Sequence, residues 1–208
     1  MARTASGKYT EQCINKMKEI ILIGGGGHCK SVIDVIEQES QFVIVGIVDK
    51  PKLIGTDVLD YPVIGSDSDL ESLAKIYTYA LVTVGQIRTS ESRIKLFNLA
   101  KKVGFSLPSI ISSRAYVSSH TFIGNGTVVM HDAFINAGTS IGNNCIINSK
   151  ALIEHDCKIS NHCHISTNAI VNGGVTIEEG CFIGSGAVTN NSITIKKNSF
   201  IKAGSIAK

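Results

Sequence analysis

Residues 135–165 read INAGTS IGNNCI INSKAL IEHDCK ISNHCH I, with isoleucine at every sixth position. The register extends from Val117 to Ile201 over fifteen positions, and all of them except Thr189 are valine or isoleucine. A period of six fits neither an amphipathic helix nor an alternating strand. It is typical of a hexapeptide β-solenoid, in which each hexad forms one short strand and one turn. Three hexads make one triangular coil, so the pattern predicts about five coils.

A second column of mostly small residues follows each aliphatic residue by four positions, with Val175 and Ile193 as bulky exceptions. Residues two apart on a strand share a face, so this column points inward together with the next aliphatic residue. Four cysteines fall in the column: Cys145, Cys157, Cys163 and Cys181. We interpret them as reduced, buried small hydrophobic side chains.

Residues 18–112 follow a different pattern, in which short apolar runs alternate with helical segments. Such alternation predicts a small parallel α/β sheet of Rossmann type. The sequence therefore divides into an N-terminal extension, a Rossmann-like domain and a β-helix domain, at residues 1–17, 18–112 and 113–208.

A run of four glycines, Gly24–Gly27, lies between the first predicted strand and a predicted helix, His28–Glu39. Main-chain N–H groups at a helix N-terminus bind anions well. Asp49 ends the second predicted strand, where dinucleotide folds place an acidic residue. The run is not a G-x-G-x-x-G motif, since its sixth position is Cys29. A nucleotide or sugar-phosphate site and a tight turn without a ligand both stay open.

The composition excludes several classes of partner. The net charge is +3, and no Lys/Arg cluster interleaves with aromatic residues, so we expect no nucleic acid partner. No apolar run approaches the roughly 20 residues that cross a membrane, so we expect no membrane insertion. Met1–Met17 is polar and lacks the apolar region of a secretory signal. We expect a cytoplasmic protein.

Three segments carry a resemblance to a known family: Ile23–His28, Asn148–Asp156 and His164–Ser166. With them, residues 18 to about 205 resemble the PglD/NeuD family of bacterial sugar acyltransferases. The resemblance implies that the solenoid is a left-handed β-helix and that the protein is a homotrimer. It also implies acetyl-CoA as co-substrate, bound between neighbouring β-helices, with no metal, and an N-terminal domain that binds the acceptor.

The family has two branches. One branch N-acetylates a nucleotide-linked 4-amino-sugar. Its pattern has a histidine in the glycine loop, an acid after the catalytic histidine and a further histidine nine residues later, which correspond here to His28, Asp156 and His164. The family acid is Glu, whereas this chain has Asp156. The resemblance therefore implies an acetyl-CoA-dependent N-acetyltransferase, acting on a UDP-4-amino-sugar type of acceptor in bacterial glycan biosynthesis. The alternative is O-acetylation of sialic or nonulosonic acids, as in the other branch.

Site residues follow from the same match. His155 is the expected general base, because a neutral imidazole accepts a proton near neutral pH, and Asp156 orients it. We expect His164 and Gly173 to contact acetyl-CoA. The expected acceptor contacts are Gly25, Gly26, Gly27, His28, Asp49 and Asn148. The remaining solenoid histidines, His120, His131 and His162, are expected at the surface.

Two other classes compete with this interpretation. A β-helix metalloenzyme needs three histidines that meet at one zinc ion, whereas His162 and His164 point in different directions. A non-catalytic scaffold that binds sugar nucleotides has no need of a histidine beside an aspartate in this motif.

Overall fold

The computed structural model describes residues 17–86 and 88–208, so most of the predicted extension, residues 1–17, lies outside the described residues. The chain divides into two compact units. The first unit comprises Met1–Gly85 and Lys95–Pro108, and the second comprises Gln86–Ile94 and Ser109–Lys208. Thus the second unit includes a segment that the sequence assigns to the N-terminal domain.

The N-terminal unit is built on one five-stranded sheet in the order β3-β4-β2-β1-β5. All its strand pairs are parallel except β3 with β4. In chain order its elements are β1 (Lys18–Ile23), α1 (Gly27–Glu39), β2 (Phe42–Val48), β3 (Asp57–Val58), β4 (Tyr61–Gly65), α2 (Leu70–Leu73), β5 (Tyr79–Val82) and α3 (Glu91–Lys102). Residues Glu91–Ile94 of α3 are counted with the second unit.

The sheet forms because β1 is apolar on both faces. Its residues Ile20–Ile23 are completely buried, as in parallel sheets that are covered on both sides. Helix α1 buries Val32, Ile33, Val35 and Ile36. Since β1 pairs with β2 on one side and β5 on the other, the strand order reverses beside β1, where open α/β sheets bind ligands.

The second unit is a parallel β-helix of two-residue strands. They are β6 (Ile110–Ile111), β7 (Tyr116–Val117), β8 (Phe122–Ile123), β9 (Val128–Val129), β10 (Phe134–Ile135), β11 (Ser140–Ile141), β12 (Ile146–Ile147), β13 (Leu152–Ile153), β14 (Lys158–Ile159), β15 (His164–Ile165), β16 (Ile170–Val171), β17 (Thr176–Ile177), β18 (Phe182–Ile183), β19 (Val188–Thr189), β20 (Thr194–Ile195), β21 (Phe200–Ile201) and β22 (Ile206–Ala207). Each pairs with the strand eighteen residues away, which gives three stacked sheets.

The coils continue beyond the aliphatic series at both ends. Ile111 and Ala207 occupy the next positions of the register and pack against the core. The described residues 109–208 therefore hold seventeen strands, which is five coils of three plus two further strands. Thr189, the exception in the series, is buried, and its hydroxyl accepts the N–H of Asn172 at 2.9 Å.

The small inward column supplies hydrogen-bond donors as well as space. Thr127 and Thr139 each donate to the main-chain oxygen fifteen residues later, at 2.8 Å. The Sγ atoms of Cys157 and Cys163 likewise donate to the main-chain oxygen fifteen residues later, at 3.2 Å. These cysteines are free and buried, as expected, and their thiols are also weak donors to main-chain oxygens of the corners.

The three outer faces of the β-helix differ in character. On the face of β15 the outward residues from Ile110 to Phe182 are buried and Phe200 is exposed, and Gln86 and Arg93 hydrogen-bond to residues at the edge of this face. The face of β14 carries mainly polar residues. The third is wholly apolar and largely solvent-accessible, and we call it the apolar face: Tyr116, Phe134, Leu152, Ile170, Val188 and Ile206.

Within the described parts of the chain, no helix combines the length and the apolar character needed to cross a membrane.

Candidate active site

His155 and Asp156 lie together on the corner that follows β13. The Nδ1 of His155 is 2.8 Å from the Oδ2 of Asp156, and 61% and 72% of the two side chains are exposed. Asp156 adopts a left-handed conformation with φ 59°, and its N–H donates to the oxygen of Ala137 at 3.0 Å. This backbone conformation lets the short aspartate side chain reach the ring without the extra methylene of a glutamate.

The hydrogen bond that the ring donates to Asp156 raises the pKa of His155 above its ordinary value of 6.5, against a smaller lowering by desolvation. The charges of Asp156 and Glu154 raise the pKa further. Since the carboxylate accepts the Nδ1 proton, Nε2 is the nitrogen that gains and loses a proton. The arrangement is therefore suited to proton transfer at Nε2.

Glycines flank this pair on the neighbouring coils. A Cβ placed at Gly173 would lie 2.8 Å from the Nε2 of His155 and 2.9 Å from its Cε1. A Cβ placed at Gly138 would overlap the Oδ1 of Asp156. Gly173, an expected cofactor contact, thus lies against the imidazole of His155. Gly138 was not expected at the site. It lies eighteen residues, or one coil, before Asp156, and this spacing in the sequence could have identified it.

His164 and Asn148 are neighbours, although the sequence suggested separate ligands for them. The Nδ1 of His164 donates to the main-chain oxygen of Gln86 at 2.9 Å, and its Nε2 lies 3.3 Å from the Nδ2 of Asn148. His164 packs edge-on against Phe182 and is 7% exposed. It is therefore largely shielded from solvent within this unit.

Arg93 holds the segment that carries Gln86. It is 1% exposed, and its guanidinium donates to the main-chain oxygens of Asn144 and His162 and to the Oε1 of Gln86. Burial lowers the pKa of Arg93 to about 10, which leaves the side chain charged at neutral pH. No signal in the sequence connects Gln86 or Arg93 with the solenoid.

The sequence predicts that His120, His131 and His162 lie at the surface, and this prediction is correct only for His120. His120 is exposed, and His131 is half-buried with its Nδ1 2.7 Å from the Oγ of Ser112. The expectation for His162 is wrong: it is 9% exposed and its Nδ1 lies 2.9 Å from the Nδ2 of Asn144. Burial, and next the charge of Arg93, lower the pKa of His162.

The glycine loop of the N-terminal unit is closed by Asp49. The N–H of Gly25 donates to the Oδ2 of Asp49 at 2.6 Å, and that of Lys50 donates to its Oδ1 at 2.7 Å. Asp49 therefore shapes the loop, and its carboxylate has remaining acceptor capacity for a ligand hydroxyl. Gly24 adopts φ +105° and leaves no room for a side chain beside Val84.

The first turn of α1 faces open space. A Cβ at Gly26 or Gly27 would meet nothing within 4 Å, and the N-cap residue Gly26 makes no side-chain capping bond. Uncapped N–H groups at a helix N-terminus favour an anion such as a phosphate. His28 follows in this turn, and burial raises the pKa of the next residue, Cys29, to about 11. Cys29 therefore stays a neutral thiol at physiological pH.

The expected site residues thus form two groups. His155, Asp156, Gly173, His164 and Asn148 belong to the β-helix unit, and the glycine loop, His28 and Asp49 belong to the N-terminal unit. Within the described residues, no three His, Cys, Asp or Glu side chains are grouped to hold a metal ion.

Family models match both units. The PglD N-terminal domain matches residues 19–98, and the bacterial transferase hexapeptide model of six repeats matches residues 120–155 and 156–191. Among solved structures, the acetyltransferase domain of PglB from Neisseria gonorrhoeae FA1090 is 32% identical, with a TM-score of 0.85. The alignment covers 92% of this chain and 91% of that one. The chain belongs to the PglD-like sugar acyltransferases. Membership confirms the expected enzyme class, a sugar acetyltransferase, and the expected left-handed β-helix.

A second PglD-like acyltransferase, PerB from Caulobacter crescentus, was solved in complex with CoA and GDP-perosamine. It is 34% identical with a TM-score of 0.86, and the alignment covers 91% of this chain and 88% of that one. The PglB domain has also been solved with acetyl coenzyme A, at 31% identity. No curated protein sequence matches the chain.

Proposed function

We propose that this chain transfers the acetyl group of acetyl-CoA to the amino group of a nucleotide-linked 4-amino-sugar in bacterial glycan biosynthesis, with His155 as general base. The observation that carries the proposal is the hydrogen bond between His155 and Asp156 on an exposed corner. Support comes from two relatives that were solved with acetyl coenzyme A or with CoA and a nucleotide-linked sugar. A UDP-linked sugar is the first acceptor to test, followed by GDP-perosamine.

Direct transfer assigns each group one task. The acceptor amine attacks the thioester carbonyl while the Nε2 of His155 takes its proton, and the C–N bond forms. Asp156 stabilises the resulting imidazolium through Nδ1. As the tetrahedral intermediate collapses, the C–S bond breaks, and the thiolate of CoA takes the proton from Nε2. Main-chain N–H groups stabilise the transient oxyanion, and no covalent enzyme intermediate forms.

The ligands are assigned to the two groups of residues. Acetyl-CoA contacts His164 and Gly173, with no metal taking part. Because the Nδ1 of His164 donates to Gln86, its Nε2 is an acceptor in the neutral ring and faces the Nδ2 of Asn148, which links the residues assigned to the two ligands. The acceptor sugar nucleotide is held by Gly25, Gly26, Gly27, His28 and Asp49. Asn148 is the acceptor contact assigned within the β-helix unit.

A homotrimer explains the apolar face. Six outward apolar residues line up on one sheet, and Tyr116 and Ile206 remain 56% and 64% exposed. Contiguous apolar surface of this kind marks an interaction site. A trimer places this face between neighbouring β-helices and puts the corner of His155, directly after β13, at its rim. Light scattering of the purified chain tests the trimer.

Free buried cysteines fit the expected cytoplasmic location, because reducing compartments keep thiols free.

The deciding experiment incubates the full chain with acetyl-CoA and a panel of acceptors: UDP-4-amino-sugars, GDP-perosamine and sialic acid. Release of free thiol and the mass of the product report transfer and its site. We expect turnover with an amino-sugar and, in His155→Ala, a loss of about a hundredfold or more in kcat with CoA binding retained. His120→Ala is the matched control, since His120 lies exposed on the same series of corners.

Each other outcome contradicts a specific part of the proposal. Transfer to sialic acid alone would establish O-acetylation instead. Nucleotide-sugar binding without thiol release from the unmodified chain would establish a non-catalytic scaffold. Full turnover in His155→Ala would remove His155 from the mechanism.

A further inference from the structure

The eighteen-residue coil places the neighbours of His155 and Asp156 by simple register. Gly138 precedes Asp156 by one coil, and Gly173 follows His155 by one coil. The other two neighbours in these columns, Ala137 and Gly174, carry no side chain larger than a methyl group. The pair therefore projects from a stretch of the prism that is nearly free of side chains.

The corner conformation by itself does not require a glycine at position 138. Gly138 has φ +73°, but equivalent corners adopt positive φ with Asn144, Lys150 and His162. A Cβ at Gly138 would overlap the Oδ1 of Asp156, just as a Cβ at Gly180 would overlap the Oδ1 of Asn198, but the overlap at Gly138 falls on the carboxylate that bonds to His155. At Gly186, another corner glycine with φ +65°, a Cβ would meet nothing within 4 Å.

Gly173 has no need of glycine for its backbone either. It is not among the residues with positive φ, so any L-residue can adopt its conformation. A Cβ at this position would press on the Nε2 and Cε1 of the His155 ring, at 2.8 and 2.9 Å. The missing side chain therefore corresponds to space that the imidazole occupies.

We propose that Gly138 and Gly173 are positioning residues for acetyl transfer. Gly138 leaves the space in which the Asp156 carboxylate holds Nδ1, and Gly173 leaves the space that the Nε2 and Cε1 of His155 occupy. The inference rests on the proposed function of His155. Gly138 acts in this way without touching a substrate, and Gly173 does so in addition to its proposed contact with acetyl-CoA.

Each substitution has its own consequence. In Gly138→Ala the methyl group displaces Oδ1, and the rotation of the carboxylate carries Oδ2 away from Nδ1. In Gly173→Ala the methyl group tilts the ring but leaves the carboxylate in place. Glu154, the other charged group that acts on His155, accepts a bond from the Nδ2 of Asn136 at 2.8 Å and stays fixed in both variants.

The test compares Gly138→Ala and Gly173→Ala with Gly186→Ala, which carries the same cost of a positive φ without a collision. Proton NMR of the Cε1–H, assigned with His155→Gln, gives the pKa of His155 without any turnover. We expect this pKa to fall toward 6.5 in Gly138→Ala, and to change little in the other two variants. Steady-state kinetics should give a kcat lower by about tenfold to a hundredfold in Gly138→Ala and Gly173→Ala, with KM for acetyl-CoA changed by less than about threefold in Gly138→Ala.

The outcomes separate this inference from the proposed function. If Gly138→Ala titrates like Gly186→Ala and both glycine variants keep the kcat of the unmodified chain, the inference is overturned. If the unmodified chain acetylates no acceptor, the proposed function fails, while the titration still reports the role of Gly138. If Gly138→Ala does not fold, Gly173→Ala decides by its kcat, because its φ carries no strain.

Discussion

The main-chain oxygen of Gln86 accepts a hydrogen bond from the Nδ1 of His164 at 2.9 Å, across 78 residues of sequence. Arg93 fixes Gln86 in turn, because its guanidinium donates to the Oε1 of that residue and to two corner carbonyls of the β-helix. One buried cation thus holds the segment that sets the tautomer of a buried histidine.

Replacement of Arg93 should destabilise the β-helix strongly. Arg93→Met leaves three acceptors without their donor, and each unsatisfied buried group costs about 1–3 kcal/mol. We expect a loss of about 3 kcal/mol or more in the free energy of unfolding, measured by urea titration followed by circular dichroism. Arg114→Met is the control, since its ion pair with Asp132 is exposed and is worth under about 1 kcal/mol. An equal loss of unfolding free energy in Arg93→Met and Arg114→Met would show that the hydrogen bonds of Arg93 do not hold the β-helix together.

The pH profile should report the bond between His155 and Asp156. The carboxylate favours the protonated imidazole, so the active neutral form appears only as pH rises through a pKa above 6.5. In Asp156→Asn the acidic limb of kcat/KM should move to lower pH, and the plateau should fall because the ring loses its orientation. Glu154→Gln should shift the limb less, since its charge is the smallest of the raising effects. If the acidic limb of kcat/KM does not move in Asp156→Asn, the limb reports the titration of a group other than His155.

The donor role of the inward column can be measured at Thr139. Its Oγ1 donates to the main-chain oxygen of Glu154 at 2.8 Å, and Cys157 makes the equivalent bond one coil later. Thr139→Val keeps the shape but removes both this donor and the acceptor of the Cys157 N–H at 3.3 Å, and should cost about 1–3 kcal/mol in unfolding free energy. Thr139→Cys should cost less, because a thiol restores a donor. If valine and cysteine cost the same, the column acts through size alone.

The open turn of α1 predicts a charge effect on acceptor binding. Gly26→Asp and Gly26→Asn have nearly the same shape, meet nothing nearby and both cap a helix well, so both should keep or raise the melting temperature. Aspartate also places a negative charge where a phosphate would bind. The KM of Gly26→Asp for the nucleotide sugar should exceed that of Gly26→Asn by about tenfold, whereas the KM for acetyl-CoA should be equal in the two variants. Matching acceptor KM values would place the phosphate elsewhere.

The period of six predicted the β-helix because every strand obeys it. Only the ends were missed: Ile111 fits the rule but precedes the first clear corner, and Ala207 is too small to stand out. In the N-terminal unit the short β3 was missed, since two residues carry no periodicity.

Site residues were predictable where they are close in sequence or related by the coil. His155 and Asp156 are adjacent, and their bond follows from one corner. The burial of His162 was not predictable, because it depends on Arg93, which lies outside the periodic region. The bond from Gly25 to Asp49 was missed for a related reason: the position of the acid at a strand end was clear, but its partner depended on how the loop turns.

The eighteen-residue coil also limits how far a change can spread. Each coil of the β-helix pairs only with the coil before it and the coil after it, so the prism behaves as a nearly one-dimensional stack. A substitution near His155 changes the structure of the two neighbouring coils, and its effect is smaller in the coils beyond them. Residues toward either end of the stack can therefore vary for binding or assembly while the geometry at His155 stays unchanged.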